Sequence, residues 1–229
     1  MNPVYVALDT TDLDYARGLA ERLRGSVGGL KLGLEFFSAH GPDGVRAFAG
    51  MDLPLFLDLK FHDIPNTVAG ACRAVSSLGA SIINVHASGG AAMLKTAGEV
   101  ARAVNPEIKV IGVTVLTSLN EVDLKSMGVA GSPGEQVMRL AQLAKANGLD
   151  GVVCSAHEIT PLRATLGPDF LLVVPGIRPA GSDLNDQSRV MTPAEAHKAG
   201  ADILVIGRPI TAAPDPVRAA RDIAQSLGF

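Results

Sequence analysis

Short runs in which nearly every residue is apolar alternate along this chain with longer, Ala-rich stretches. The runs fall at residues 3–8, 28–32, 54–59, 81–85, 108–114, 150–153, 171–174 and 202–206. A strand with one wet face alternates apolar and polar residues. Runs without that alternation predict parallel strands buried on both faces. The stretches between them carry apolar residues at helical spacing. Leu13, Ala16, Ala20 and Leu23 form one stripe, Val137, Leu140, Ala141 and Ala144 a second, and Val217, Ala220, Ala224 and Leu227 a third. Gly79 and Gly200 follow helical stretches as C-terminal caps do, and Asp215-Pro216 reads as an N-cap followed by proline at the first helical position.

Eight strands, each followed by a helical stretch, predict a closed (β/α)8 TIM barrel formed as one domain over residues 1–229. The alternative is an open doubly wound sheet. That architecture more often has five to seven strands and a glycine-rich first turn. Here the first strand ends in Asp9-Thr10-Thr11 with no G-x-G-x-x-G. No linker-like segment, low-complexity run or sequence repeat divides the chain.

Composition narrows the class further. The chain has 229 residues, 47% hydrophobic and 19% charged, with a formal net charge of −3, a balance that argues against a nucleic-acid binder. No apolar run reaches the roughly 18–20 residues needed to span a bilayer. Val4-Tyr5-Val6-Ala7-Leu8 reads as a strand and not as a leader. Cys72 and Cys154 sit in apolar neighbourhoods without metal-ligand spacing, so both are expected as buried core thiols in a reducing, cytoplasmic setting.

In a parallel barrel all strands end on one rim, so polar residues at their C-terminal ends converge in space. Those ends carry Asp9, Lys31, Asp58 with Lys60, His86, Thr117 with Ser118, Ser155, Arg178 and Arg208, and the opposite ends show no such collection. Within Leu57-Asp58-Leu59-Lys60-Phe61-His62-Asp63, strand alternation puts Asp58 and Lys60 on one side. With Lys31 ending the neighbouring strand, Lys31, Asp58, Lys60 and Asp63 are expected to meet. An alternating array lets each buried charge offset its neighbours; a pair about 4 Å apart at an effective dielectric near 20 is worth roughly 4 kcal/mol. A structural rim salt bridge accounts for Asp58 with Lys60, but not for the further company of Lys31, Arg178 and Arg208. Asp63, ahead of Ile64-Pro65, also reads as a simple N-cap.

A second constellation suits an anion. Val174-Pro175-Gly176-Ile177-Arg178 ends the seventh strand and Val205-Ile206-Gly207-Arg208 the eighth. The loops after these strands frequently bind phosphate in TIM barrels. Gly176 and Gly207 let backbone N–H groups approach, and Arg208 can fork onto two oxygens. The polar stretch 177–191, with Gln187, is expected to close over the anion. His62, His86 and His157 lack metal-ligand spacing and read as packing histidines; Ser118 and Ser155 have no evident base, so nucleophilic catalysis is poorly supported.

V-A-L-D at 6–9, K-L-G at 31–33, D-L-K-F-H-D-I-P-N-T at 58–67, L-T-S at 116–118, P-G-I-R-P at 175–179 and I-G-R-P-I at 206–210 resemble the bacterial orotidine 5′-monophosphate decarboxylases, nearly end to end and in order. The D-x-K-x-x-D-I-P-x-T run is the most specific part. The resemblance implies cofactor-free, metal-free decarboxylation of orotidine 5′-monophosphate (OMP) to UMP and CO2 in pyrimidine biosynthesis. It implies that Lys60 protonates C6, and that Lys31, Asp58 and Asp63 complete a charged tetrad. It further implies a homodimer in which Asp63 and Thr67 serve the partner's site. Asp9 and Lys31 would contact the ribose and Ser118 the pyrimidine. Thr117, Pro175, Arg178, Gln187, Gly207 and Arg208 would line the nucleotide pocket, with Gly207 and Arg208 on the phosphate. Two alternatives stand beside this: a Mg2+-dependent sugar-phosphate barrel of the 3-keto-gulonate-phosphate decarboxylase or hexulose-phosphate synthase type, and a non-catalytic nucleotide-phosphate sensor. Those Mg2+ enzymes carry an acidic residue where this chain has Lys31, and a sensor has no need of the charge array.

Overall fold

Each apolar run becomes a strand, and each strand finds the next one beside it. The computed structural model describes residues 1–179 and 191–229. In it, β1 (Val4–Ala7), β2 (Gly29–Gly33), β3 (Leu55–Phe61), β4 (Ile82–His86), β5 (Lys109–Val113), β6 (Gly151–Val153), β7 (Leu171–Pro175) and β8 (Ile203–Ile206) pair in parallel in sequence order. β8 returns to pair with β1, so the sheet is closed and the open doubly wound alternative is excluded. Around it run α1 (Leu13–Leu23), α2 (Leu34–Arg46), α3 (Pro65–Ser76), α4 (Ala91–Val104), α5 (Glu121–Ser126), α6 (Pro133–Ala146), α7 (Ile159–Leu166), α8 (Pro193–Ala199), α9 (Arg208–Thr211) and α10 (Pro216–Ser226). This is a (β/α)8 TIM barrel. Among the described residues, no helix is long and apolar enough to cross a membrane.

The absence of polar alternation in the strands has its cause in two cores. Outward-facing Val4, Val6, Leu30, Leu32, Leu57 and Ile83 pack against helix residues such as Ala16, Ala20, Leu23 and Phe36. Inward-facing Tyr5, Ala7, Phe56, Ile82, Ile111, Val173, Ile203 and Val205 fill the barrel. The stripes expected on α1, α6 and α10 supply the helix side, with Leu13, Val217 and Leu227 only partly buried at the edges. Each fully buried aliphatic or aromatic side chain contributes about 1.5–3 kcal/mol relative to exposure.

Helix starts follow the cap chemistry. The Asp12 carboxylate accepts from Tyr15 N at 2.9 Å at the start of α1. Asp215 accepts from Val217 N and Arg218 N, both at 3.1 Å, ahead of Pro216 in α10. Gly200 is the left-handed cap of α8. Gly79 is left-handed too, but α3 is capped by Ser77, and Gly79 turns the chain two residues later.

The N-terminal rim is more polar than the sequence suggests. Asp150 pairs with Arg102 at 3.1 Å and Lys109 at 3.6 Å, and Asp202 pairs with Arg163. These carboxylates also accept backbone N–H groups from β5 and β7, Asp150 from Val110 at 2.8 Å and Asp202 from Leu172 at 2.7 Å. They tie down strands where these enter the barrel. Polar residues therefore gather at both rims, with a structural purpose at this one.

Candidate active site

Inward-facing positions turn from apolar to charged as the strands reach the C-terminal rim. Above Ala7 comes Asp9, above Gly29 comes Lys31, above Phe56 comes Asp58, and above Ile82 come Asn84 and His86. Lys31 Nζ donates to Asp9 Oδ1 at 2.7 Å and lies 3.5 Å from Asp58 Oδ2. Lys60 Nζ donates to Asp58 Oδ1 at 2.6 Å. Asp58 is thus held between two ammoniums, and its side chain is only 14% exposed. Burial pushes the Asp58 carboxyl up, but Lys31 and Lys60, with hydrogen bonds from Lys60 and Asn84, outweigh burial and hold it below the usual range.

Lys60 reaches this position by a different route from simple alternation. Leu57 is opposite Ile83, but Phe61 is opposite Val85, so β3 spends four residues where β4 spends two. At this irregularity Lys60 adopts φ +52°, which costs a non-glycine residue on the order of 1–2 kcal/mol. Its N–H, out of the ladder, donates to Asn84 Oδ1 at 2.7 Å, and Asn84 Nδ2 donates to Asp58 Oδ1 at 2.7 Å. Asn84 is fully buried. It was missed in the sequence because a single amide within Ile82-Ile83-Asn84-Val85-His86 carries no motif. The available signal was its inward register, level with the charges. Gly33 leaves room nearby: a Cβ there would stand 2.8 Å from Lys31 Nζ and 2.9 Å from Asp9 Oδ1, so both charged ends would have to shift.

Asp63 does not join the array within one chain. Its carboxylate is exposed and accepts from Ile64 N at 2.7 Å, and Ile64 is the N-cap of α3, so Asp63 is not that helix's cap. The physical reason is the turn after Phe61, which carries the chain outward past the rim. The four charges that meet are Asp9, Lys31, Asp58 and Lys60. Thr67, on the first turn of α3, is also exposed.

Beside the array lies a cavity of about 210 Å3, lined by Asp58, Lys60, Thr117, Pro175, Phe56 and Val205 among others. Two larger clefts, of about 600 and 570 Å3, contain neither Asp58 nor Lys60, so size does not locate the chemistry. Ser118 is exposed on the loop after β5. Arg178 is buried, donates through Nη1 to Ile177 O at 3.1 Å, and its backbone N–H meets Met191 O at 3.2 Å. Gly207 is the N-cap of α9, and Arg208 is exposed at its first position. Gln187, and with it most of the stretch expected to close over the anion, lies outside the described residues. Both cysteines are free and buried, and burial pushes the Cys72 thiol up to about 11. Among the described residues, no cluster of three or more His, Cys, Asp or Glu suits a metal ion.

His86 flanks the array, its ring 5.3 Å from that of His62. Burial holds its pKa below the ordinary histidine value, helped by His62 and Lys60 and opposed by Asp58. Below about pH 6.5 the unfolded chain therefore takes up a proton that the folded chain resists. Stability is expected to fall as pH drops below that value, and further as Asp58 protonates at lower pH. His86→Gln should flatten the first part of the loss. Thermal melts from pH 7 to 5 check this; equal slopes in the two proteins would refute it.

The sequence profile of the orotidine 5′-phosphate decarboxylase / HUMPS family matches residues 2–223. The chain belongs to this family. Orotidine 5′-phosphate decarboxylase of Rhodospirillum rubrum is 59% identical over 234 aligned positions, covering 99% of this chain and 94% of that one. That of Paramagnetospirillum magneticum is 54% identical, with both chains fully covered. A crystal structure of orotidine 5′-phosphate decarboxylase from Lactobacillus acidophilus superposes with a TM-score of 0.88 at 36% identity over the whole of both chains. The family membership agrees with the charge array at the rim and with the motifs that carry it.

Proposed function

We propose that this chain decarboxylates orotidine 5′-monophosphate to UMP and CO2. The observation that carries the reading is Asp58 clasped between the Lys31 and Lys60 ammoniums beside the 210 Å3 cavity, in a chain of this family. In the reaction the bond from C6 to the carboxylate breaks, the electron pair remains on C6, and CO2 leaves. That carbanion lies in the ring plane, where the pyrimidine delocalises it poorly. A fixed ammonium stabilises it and then supplies the proton; the hold of Asp58 on Lys60 Nζ at 2.6 Å supports Lys60 in both tasks. Asp58 holds that ammonium and faces the departing carboxylate; Lys31 and Asp9 contact ribose hydroxyls.

The remaining roles are those that the family resemblance implies. Thr117 and Pro175 line the cavity, Ser118 serves the pyrimidine amide, Gly207 with Arg208 receives the phosphate, and Arg178 and Gln187 serve the nucleotide. Asp63 and Thr67, exposed in this chain, serve the site of a second copy in a homodimer. The setting is the cytoplasm, and the domain spans residues 1–229. The Mg2+-dependent sugar-phosphate alternative is disfavoured by Lys31: its ammonium, 3.5 Å from Asp58, stands where a divalent cation would need a carboxylate. The deciding assay follows the absorbance of orotidine 5′-monophosphate with and without excess chelator. Binding without turnover, or turnover lost to chelator, refutes the proposal.

Arg208→Ala should raise KM for orotidine 5′-monophosphate about 100-fold, the loss of a charge-assisted fork on phosphate, with a smaller change in kcat. In the unaltered chain, phosphite dianion should accelerate turnover of the phosphate-free nucleoside, and the variant should lose that response. An unchanged KM would move the phosphate site elsewhere.

A further inference from the structure

We infer that Asn84 is a positioning residue for the decarboxylation, its one side-chain amide fixing both the backbone of Lys60 and the carboxylate that holds the Lys60 ammonium. This rests on the function proposed above and extends it to a residue outside the charged motif.

The two hydrogen bonds determine the amide's orientation. The Lys60 N–H can only donate, so the Asn84 atom 2.7 Å away is the oxygen; the nitrogen then faces Asp58 Oδ1, also at 2.7 Å. Asp58 Oδ1 receives two donors, Asn84 Nδ2 and Lys60 Nζ, while Oδ2 faces Lys31. Nothing else in the strand ladder replaces the first bond, because β3 is out of register with β4 between Leu57 and Phe61. Lys60 is therefore held in its left-handed conformation by a side chain, at the point where its backbone is most costly to hold. Without the clamp, Lys60 relaxes toward ordinary strand geometry and carries its ammonium away from Asp58. Asp58 also loses one of the donors that favour its charged form. A structural filler at this position would need neither bond, and an apolar residue would match Ile82, which faces the barrel interior below it.

Two variants test this. Asn84→Ala removes both bonds, and a misplacement of the ammonium by about 1 Å is expected to lower kcat about 100-fold while KM changes less than about threefold. UMP binding stoichiometry counts intact sites, so kcat is expressed per site. Asn84→Asp keeps the acceptor for Lys60 N–H and turns the donor to Asp58 into a second carboxyl group. Around Asp58 stand Lys31 with Asp9 behind it, Lys60, and His86 with His62; against that fixed set, two carboxyls sharing a proton titrate higher than one. The acid limb of the kcat profile should move up by at least one pH unit. The 13C carboxyl resonance of Asp58 should titrate at higher pH in both variants, and that readout does not depend on turnover. Failure of the unaltered chain to decarboxylate orotidine 5′-monophosphate would sink the proposed function alone. Per-site kcat within twofold in Asn84→Ala, a fall that merely tracks lost sites, or an unmoved Asp58 titration would overturn the role of Asn84.

Discussion

Lys60→Ala is expected to lower kcat for orotidine 5′-monophosphate about 10⁵-fold, some 7 kcal/mol of transition-state stabilisation, with KM changed far less. Two separate losses combine. A preorganised charge aimed at a developing anion is worth about 10²–10³ in rate, and a positioned general acid about 10²–10⁴. Alanine supplies neither, and water entering the vacated space is a poorer donor held by nothing. KM is spared because the ribose and phosphate contacts proposed for Asp9, Lys31 and Arg208 lie away from the reacting carbon. The fold should survive: Asp58 keeps Lys31 at 3.5 Å and Asn84 at 2.7 Å, and the backbone N–H at position 60 keeps its bond to Asn84. Stopped-time absorbance assays with concentrated enzyme read the residual rate. A loss of less than tenfold would remove Lys60 from the chemistry and reduce its ion pair to a rim salt bridge.

The same residue shows how far the sequence could be read. Strand periodicity and the rule that parallel strands end on one rim bring Lys31 and Asp58 together, because both depend only on local spacing and on closure of the barrel; Lys60 joins them by another route. What periodicity could not show was the irregularity at 57–61, which arises from how β3 matches β4 and not from any residue of β3 alone. Asn84 was invisible for the same reason: its partners are the backbone of one strand and the carboxylate of another. Asp63 was grouped with the array by its nearness in sequence, yet the turn after Phe61 carries it outward. The polarity of the lower rim is not legible because its carboxylates, Asp150 and Asp202, find their cations far away in sequence, on α4, α7 and the start of β5. The phosphate loops were legible as types of residue, glycine and arginine after the last two strands, but the fate of Arg178 was not. Arg178 is buried, with Nη1 on Ile177 O and its backbone N–H on Met191 O, a contact between residues thirteen apart in sequence.

Asp58→Asn should lower kcat about 10³-fold and destabilise the fold by on the order of 2–3 kcal/mol, below the 3–5 typical of a broken buried pair because Lys60 is 27% exposed. Two effects oppose each other here. Asp58 carries negative charge toward a substrate that also brings a carboxylate, so neutralising it relieves a repulsion in the bound state. It also removes the counter-charge that fixes Lys60 at 2.6 Å and faces Lys31 at 3.5 Å. The second effect should dominate the rate. The clasp is a close contact between opposite charges with good geometry, whereas the substrate carboxylate can turn or be screened before it reacts. The two effects separate by ligand. Relief of repulsion strengthens binding of a carboxylate-bearing ring but leaves UMP, which has none, unchanged; loss of the clasp lowers kcat whichever ligand binds. A variant that binds orotidine 5′-monophosphate more tightly than the unaltered chain, with UMP affinity equal and kcat reduced, would show both at once. Turnover within threefold of the original would mean that Lys60 is held by something other than Asp58, and the electrostatic account of the site would then have to be rebuilt around Asn84 and the β3 backbone.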